Sequence, residues 1–257
     1  MSNSRSTSQR KSGRASIRRI LRSVRYRIYQ KISLNVVLHS RIKWRLLRYY
    51  EEGNIKTVYD IGAHKGRWAQ SLAEIMPDVR IVLFEANSTH AKELANTGLE
   101  HFIGVLSKPG VSEVQFYATG ENTDSTGGSY YKEVTPQYDG TEPVATKASS
   151  LDSLAETNSL PQPDFIKIDT QGSELDVIEG GVLTFRGAKW VLMELPILEY
   201  NTGAPNIARY IERMGDIGFL PLQIGEIHSI GPIIVQVDFL FVNRSLLEPG
   251  VMRSLRL

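Results

Sequence analysis

Apolar and polar positions along this chain alternate between short buried runs and helical stripes. Residues 56–61 are mostly apolar or β-branched and are closed by Gly62, which reads as a buried strand. From Gly66 the spacing of Trp68, Leu72 and Ile75 marks one helix face, and Pro77 ends it. Residues 80–84 read as a second strand with Glu85 at its tip, and residues 165–168 as a third, tipped by Asp169. After a turn at Gly172, a helix carries Leu175 and Ile178, and Gly180-Gly181 is expected to stop it. Residues 190–193 form a fourth strand running into Glu194-Leu-Pro196. Residues 113–117 and 143–147 read as strands on either side of a long polar segment, 118–142, expected to act as a substrate lid. Residues 207–214 read as a helix, and 219–224 with 233–242 as an antiparallel edge hairpin. Strands alternating with helices predict an α/β domain around a doubly wound sheet, which binds ligands beyond the carboxyl ends of its strands.

The N-terminal region is different. Residues 1–16 are rich in Ser and Arg, and a disordered leader is expected there. From 17 to 32, Ile17, Ile20, Leu21, Val24, Ile28 and Ile32 follow helical spacing with arginines between them. This is a basic amphipathic pattern suited to an anionic membrane surface or to packing on protein. Residues 34–50 read as another basic helix, so the helical extension spans 17–52, the main domain 53–245 and a tail 246–257. Residues 1–50 hold 14 Lys and Arg and no acid, which leaves 16 basic against 28 acidic residues in 51–257. No run of 18 apolar residues predicts a membrane span. A cytoplasmic protein, at most peripheral to the inner face of a membrane, is expected.

The chemistry gathers at the strand ends. Asp60, Glu85, Asp169 and Glu194 each follow a hydrophobic run, so parallel strands would bring all four to one sheet edge. Gly62-x-x-x-Gly66 lacks the middle glycine that admits a pyrophosphate, and Asp60 in the turn would repel one. Glu85 lies 23 residues beyond Gly62, where an acid is placed to hold ribose hydroxyls. With Asp60 facing an amino group, the pattern suits a cationic nucleoside, and S-adenosylmethionine answers that description.

At Asp60-Ile-Gly-Ala-His-Lys-Gly66, Phe84-Glu85, Leu151-Asp152-Ser-Leu154, Ile166-Lys-Ile-Asp-Thr-Gln-Gly-Ser-Glu174 and Gly180-Gly181 the chain resembles the FkbM-type S-adenosylmethionine-dependent methyltransferases. The likeness runs from about Lys56 to Asn243, and the 165–181 block is its specific part. His64 stands where that family usually carries Asn. The resemblance implies a Rossmann-like seven-stranded class I methyltransferase fold, here with a basic helical N-terminal extension. It also implies O-methylation of a sugar, glycan or small molecule. Asp60, Gly62, Ala63, His64, Gly66, Glu85 and Ser107 are the expected cofactor contacts. Asp169, then Glu194, then Glu174 are the candidate general bases, and Lys167 is read as a salt-bridge partner. Tyr130, Tyr200 and Asn201 are candidates to line an acceptor pocket.

Cysteine is absent, which excludes disulfides, thiolate-bound zinc and the cluster that radical methyl transfer uses, leaving polar displacement. Asp169 and Glu194 are a weak pattern for a divalent cation such as magnesium, and the five histidines show no ligand spacing, so no metal is expected. Two other readings compete. One is RNA methylation with the leader as a phosphate-binding arm, which the acidic balance of 51–257 opposes. The other is a non-catalytic scaffold on a membrane surface.

Overall fold

The computed structural model describes residues 40–118, 128–132, 140–198 and 201–255. The basic leader, the 17–32 stripe, most of the 118–142 segment and Tyr200 lie outside these residues. Helix α1 (Ser40–Glu51) leads into β1 (Thr57–Ile61), α2 (Arg67–Ile75), β2 (Arg80–Glu85), α3 (Ala91–Asn96) and β3 (Glu100–Ile103). Then come β4 (Val105–Leu106), β5 (Glu113–Phe116), β6 (Val144–Ser149), α4 (Leu151–Thr157) and β7 (Phe165–Ile168). The chain continues through α5 (Glu174–Gly180), α6 (Val182–Gly187), β8 (Trp190–Pro196), α7 (Ile207–Asp216), β9 (Phe219–Ile230), β10 (Ile233–Asn243) and α8 (Pro249–Leu255). No helix among the described residues is long and apolar enough to cross a membrane.

Seven strands form one sheet in the order β3-β2-β1-β7-β8-β10-β9. The first five of these are parallel, and β10 runs antiparallel to both β8 and β9. After β1 the chain builds outward to β2 and β3, then returns so that β7 lies against the other side of β1. That reversal is the switch point where a doubly wound sheet opens a crevice. The two glycine turns of the sequence follow β1 and β7, so both open at this crevice.

Strand alternation divides the side chains between two faces. Tyr59, Ile61, Phe84, Ile166, Ile168, Val191 and Met193 pack with Val177 and Ile178 of α5, Phe185 of α6, and Tyr210 and Met214 of α7. On the opposite face, Trp68 of α2 stacks on Phe165 with ring centroids 6.2 Å apart. Tyr49 of α1 stacks there on Trp190 at 4.0 Å. Each large side chain so buried contributes about 1.5–3 kcal/mol. By register, Asp60 pairs with Lys167, and Glu194 pairs with Asp238. All four fall on this second face, which therefore turns from apolar to ionic toward one end.

Gly180-Gly181 ends α5 as expected, and α6 follows at once. Asp152 caps it, accepting hydrogen bonds from the Leu183 and Thr184 amides at 3.0 and 2.9 Å. Strand β9 runs on to Ile230 rather than ending near 224, because its pairing with β10 resumes after each of three register shifts. Helix α1 begins at Ser40 among the described residues and ends one residue beyond the predicted limit.

Among the described glycines, Gly62 leaves the least room for a side chain. Its φ is +76°, and a Cβ there would lie 1.8 Å from the Asp169 carbonyl oxygen. Gly53 shares the left-handed geometry, with φ +79°, but would meet nothing within 4 Å. Gly53→Ala should therefore cost only the conformational term of about 1–2 kcal/mol. Gly62→Ala should cost at least about 3 kcal/mol, because backbone must also move. Urea denaturation of both variants checks this, and equal losses would refute the close approach.

Candidate active site

The first turn is built almost wholly from backbone. The Gly62 and Ala63 amides donate to the Phe84 carbonyl at 2.9 and 3.0 Å, which ties the end of β1 to β2. His64 takes a left-handed φ of 50°. Its amide donates to Glu85 Oε2 at 2.6 Å, while the Asn87 amide donates to Oε1 at 2.8 Å. Glu85 thus holds the turns after β1 and β2 together, and each of its oxygens keeps a further lone pair for a ligand. Burial raises its pKa. Ala63 is buried beneath the turn. The His64 ring packs edge-on against His90 with centroids 4.2 Å apart. Gly66, at φ +74°, starts α2 where a Cβ would press on Thr97 at 2.9 Å.

The second turn is held from below by Glu174. One of its oxygens accepts from the Thr170 amide at 2.8 Å, and Gly172 and the Tyr210 hydroxyl donate to the other at 3.1 and 3.0 Å. Glu174 is only 1% exposed, and burial raises its pKa. Of the three base candidates it is the one turned inward.

Between the turns sits Lys167. Its Nζ donates to the Gly62 carbonyl at 3.0 Å and lies 3.4 Å from Asp60 and 3.3 Å from Asp169. The salt-bridge expectation for Lys167 is met by both acids. Burial opposes its charge, but Asp169 and Asp60 outweigh that and hold it above the ordinary lysine range. Asp60 is 0% exposed, and neither of its oxygens has a hydrogen-bond partner. Burial pushes it up to about 6, against the pull of Lys167.

Asp169 and Glu194 reach further toward solvent, with side chains 30% and 22% exposed. The Gln171 amide bridges them, donating to Asp169 Oδ1 at 2.6 Å and Glu194 Oε1 at 3.4 Å. Gln171 reaches them from a left-handed backbone, φ 54°. Burial, Asp169 and Asp238 push Glu194 up to about 8. Burial pushes Asp238 up to about 6. Ser107 is buried after β4, with its carbonyl against Gly180 and its hydroxyl 3.5 Å from that of Tyr130. Tyr130 and Tyr131 both donate to Asp176, and Asn201 donates to the Tyr131 and Gln171 carbonyls at 3.0 and 2.8 Å.

The structure thus joins Asp60, Lys167, Asp169, Gln171 and Glu194 in one chain of contacts, linked through the Gly62 carbonyl to the Glu85 turn. Sequence reasoning passes over Gln236, which donates to Glu194 at 2.5 Å, and His228, whose Nε2 lies 3.6 Å from Glu194 Oε2. Asp238 is visible within its strand, but nothing local indicates that it faces Glu194. Glu194, His228 and Asp238 offer ligand atoms that all lie within 4.8 Å of one another.

Five parallel strands, an antiparallel hairpin inserted beside β8, and two glycine turns at the switch point define a Rossmann-like methyltransferase fold. A model of the methyltransferase FkbM domain matches residues 60–220, well over half of the chain. The chain belongs to this family of S-adenosylmethionine-dependent methyltransferases. No curated protein matches its sequence. Among solved structures it is similar to cofactor-bound Rv0187 from MTB, at 14% identity over 82% of this chain and 83% of that one, TM-score 0.46. It is also similar to precorrin-6y C5,15-methyltransferase from Geobacter metallireducens GS-15, at 12% identity over 82% and 92%, TM-score 0.43. A third is a TehB-like S-adenosylmethionine-dependent methyltransferase from Corynebacterium glutamicum, at 9% identity over 77% and 86%, TM-score 0.41. Likenesses this distant say nothing about the acceptor.

Asp60 binds its proton more tightly in the folded chain than at its ordinary 3.8, so the fold loses stability as pH rises from about 4 to about 6. Relative to Asp60→Asn, the wild type should lose roughly 2–3 kcal/mol between pH 4 and pH 7. Paired urea titrations measure the difference, and one that stays flat would refute the buried charge.

Proposed function

We propose that this enzyme methylates a hydroxyl of a sugar, glycan or other small neutral acceptor, with Asp169 as the proton acceptor. The observation that carries this reading is the half-open Asp169 carboxylate, fixed by Lys167 and Gln171 at the mouth of the switch-point crevice. A hydroxyl needs such a base, and a positioned carboxylate supplies one. Asp169, Glu194 and Asp238 make the mouth acidic, which suits a neutral polyhydroxyl acceptor and opposes a phosphate backbone.

The residues present fit the cofactor. The first turn offers close backbone approach at Gly62, where a Cβ could not stand. Asp60 carries a buried carboxylate that is ion-paired to Lys167 but accepts no hydrogen bond, which leaves it able to favour a cationic ligand nearby. Glu85 retains lone pairs for ribose hydroxyls beside the turn it closes. S-adenosylmethionine supplies an electrophilic methyl group when bound. The protein's own part is to orient the acceptor oxygen and to take its proton on Asp169. Gln171 and Lys167 aim the carboxylate, and Glu174 keeps the turn beneath it in shape. On this reading Ala63, His64, Gly66 and Ser107 frame the cofactor wall, and Asn201 with Tyr130 frames the acceptor side. The basic 17–32 stripe gives a route to an acceptor carried on an anionic membrane.

Calorimetric titration with S-adenosylmethionine, followed by transfer of a labelled methyl group to glycan and RNA panels, tests the proposal. Glu85→Ala should weaken cofactor binding at least about tenfold, as loss of a buried charge-assisted contact does. Asp169→Asn should bind the cofactor within about twofold of wild type and lower turnover by roughly 10²–10⁴-fold. Label appearing in RNA and not in any hydroxylated small acceptor would overturn the acceptor assignment. An Asp169→Asn variant that turns over normally would remove the base.

A further inference from the structure

We infer that Glu194, His228 and Asp238 form a site for a divalent first-row metal cation at the acceptor side of the crevice. The argument starts from register. Glu194 on β8 pairs directly with Asp238 on β10, and Gln236, two residues before Asp238, pairs with His228 on β9. Directly paired residues of an antiparallel sheet share a face, as do residues two apart on one strand. The pairing therefore delivers two carboxylates and an imidazole from three adjacent strands to one spot, with their ligand atoms within 4.8 Å of one another. Two metal–ligand bonds of about 2.0–2.3 Å span at most about 4.6 Å, so a small closing of these side chains would bring all three onto one ion.

Charge supports the same conclusion. Like charges directly opposite on neighbouring strands are unfavourable, yet Glu194 and Asp238 occupy such a pair. Among the described residues their one ion-pair contact is His228, 3.6 Å from Glu194 Oε2. The nearby Lys167 ammonium is engaged by Asp60, Asp169 and the Gly62 carbonyl. Among the described residues the two acids thus face each other without a lysine or arginine bridge, an arrangement that a divalent cation would stabilise.

Each carboxylate is also steadied from behind, as metal ligands are. Gln236 and Gln171 donate to Glu194 Oε1, and the Glu226 amide donates to Asp238 Oδ2 at 3.4 Å. Glu194 Oε2 is left to face the imidazole. Carboxylate oxygens with one imidazole and no sulfur suit manganese(II), iron(II) or zinc(II) better than soft metals. Three protein ligands leave coordination positions open. Because Gln171 links Glu194 to Asp169, an acceptor hydroxyl bound at an open position would be acidified beside its base. That last step rests on the reading of Asp169 given above; the cation site itself does not.

The test is titration of the full chain with manganese(II) in the absence of cofactor, followed by electron paramagnetic resonance and calorimetry. One saturable site per chain is expected. His228→Ala and Asp238→Asn should each weaken it by about tenfold or more, with S-adenosylmethionine binding retained and circular dichroism unchanged. No saturable site in folded wild-type protein, or wild-type affinity in both variants, would overturn the proposal. Manganese binding lost in both variants while no acceptor hydroxyl is methylated would support the site and sink the acceptor reading. Methyl transfer to a hydroxyl with no manganese site would do the reverse.

Discussion

A single, largely enclosed ammonium ties together the working end of this protein. Lys167 projects from the middle of the sheet and is met by Asp60 from β1, Asp169 from its own strand end and the Gly62 carbonyl from the first turn. A buried charge is tolerated only when paired and hydrogen-bonded, and here the pairing spans both strands of the switch point. Remove the lysine and two carboxylates would face each other across β1 and β7 with nothing between them. Lys167 thus ties the two turns to each other, while Glu85 and Glu174 hold the shape of each.

A division of labour among the acids follows. Asp60 and Glu174 lie inside and shape their surroundings, one through charge and the other through hydrogen bonds to a turn. Glu85 is intermediate, with both oxygens engaged by amides but with capacity left over. Asp169 and Glu194 are the pair with access to solvent. Residues of one chemical type thus serve three ends, decided by depth and by which donors reach them.

Much of this is legible in the sequence, for a definite reason. A parallel strand that ends in an acid and a glycine turn is a local pattern, and β1, β2, β7 and β8 each announce their tips within a few residues. What each acid does is not local. Glu174 and Asp169 are five residues apart, and only the packing of Tyr210 from α7 shows that one faces inward. The Glu194–Asp238–His228 grouping is less legible still. It depends on hairpin pairing with three register shifts, and a one-residue slip would turn those side chains to the other face. The capping role of Asp152 is hidden likewise, since its partners Leu183 and Thr184 lie some thirty residues away.

The contact between Gly62 and the Asp169 carbonyl also governs how the crevice can move. Two backbones that close cannot slide or part without breaking the hydrogen bond from the Asp169 amide to the Ile61 carbonyl, 3.0 Å long. Both turns therefore behave as one stiff wall. The 128–132 segment is held differently, by the Tyr130 and Tyr131 hydroxyls on Asp176, by the Asn201 amide, and by backbone contacts such as the Tyr117–Ser129 bridge.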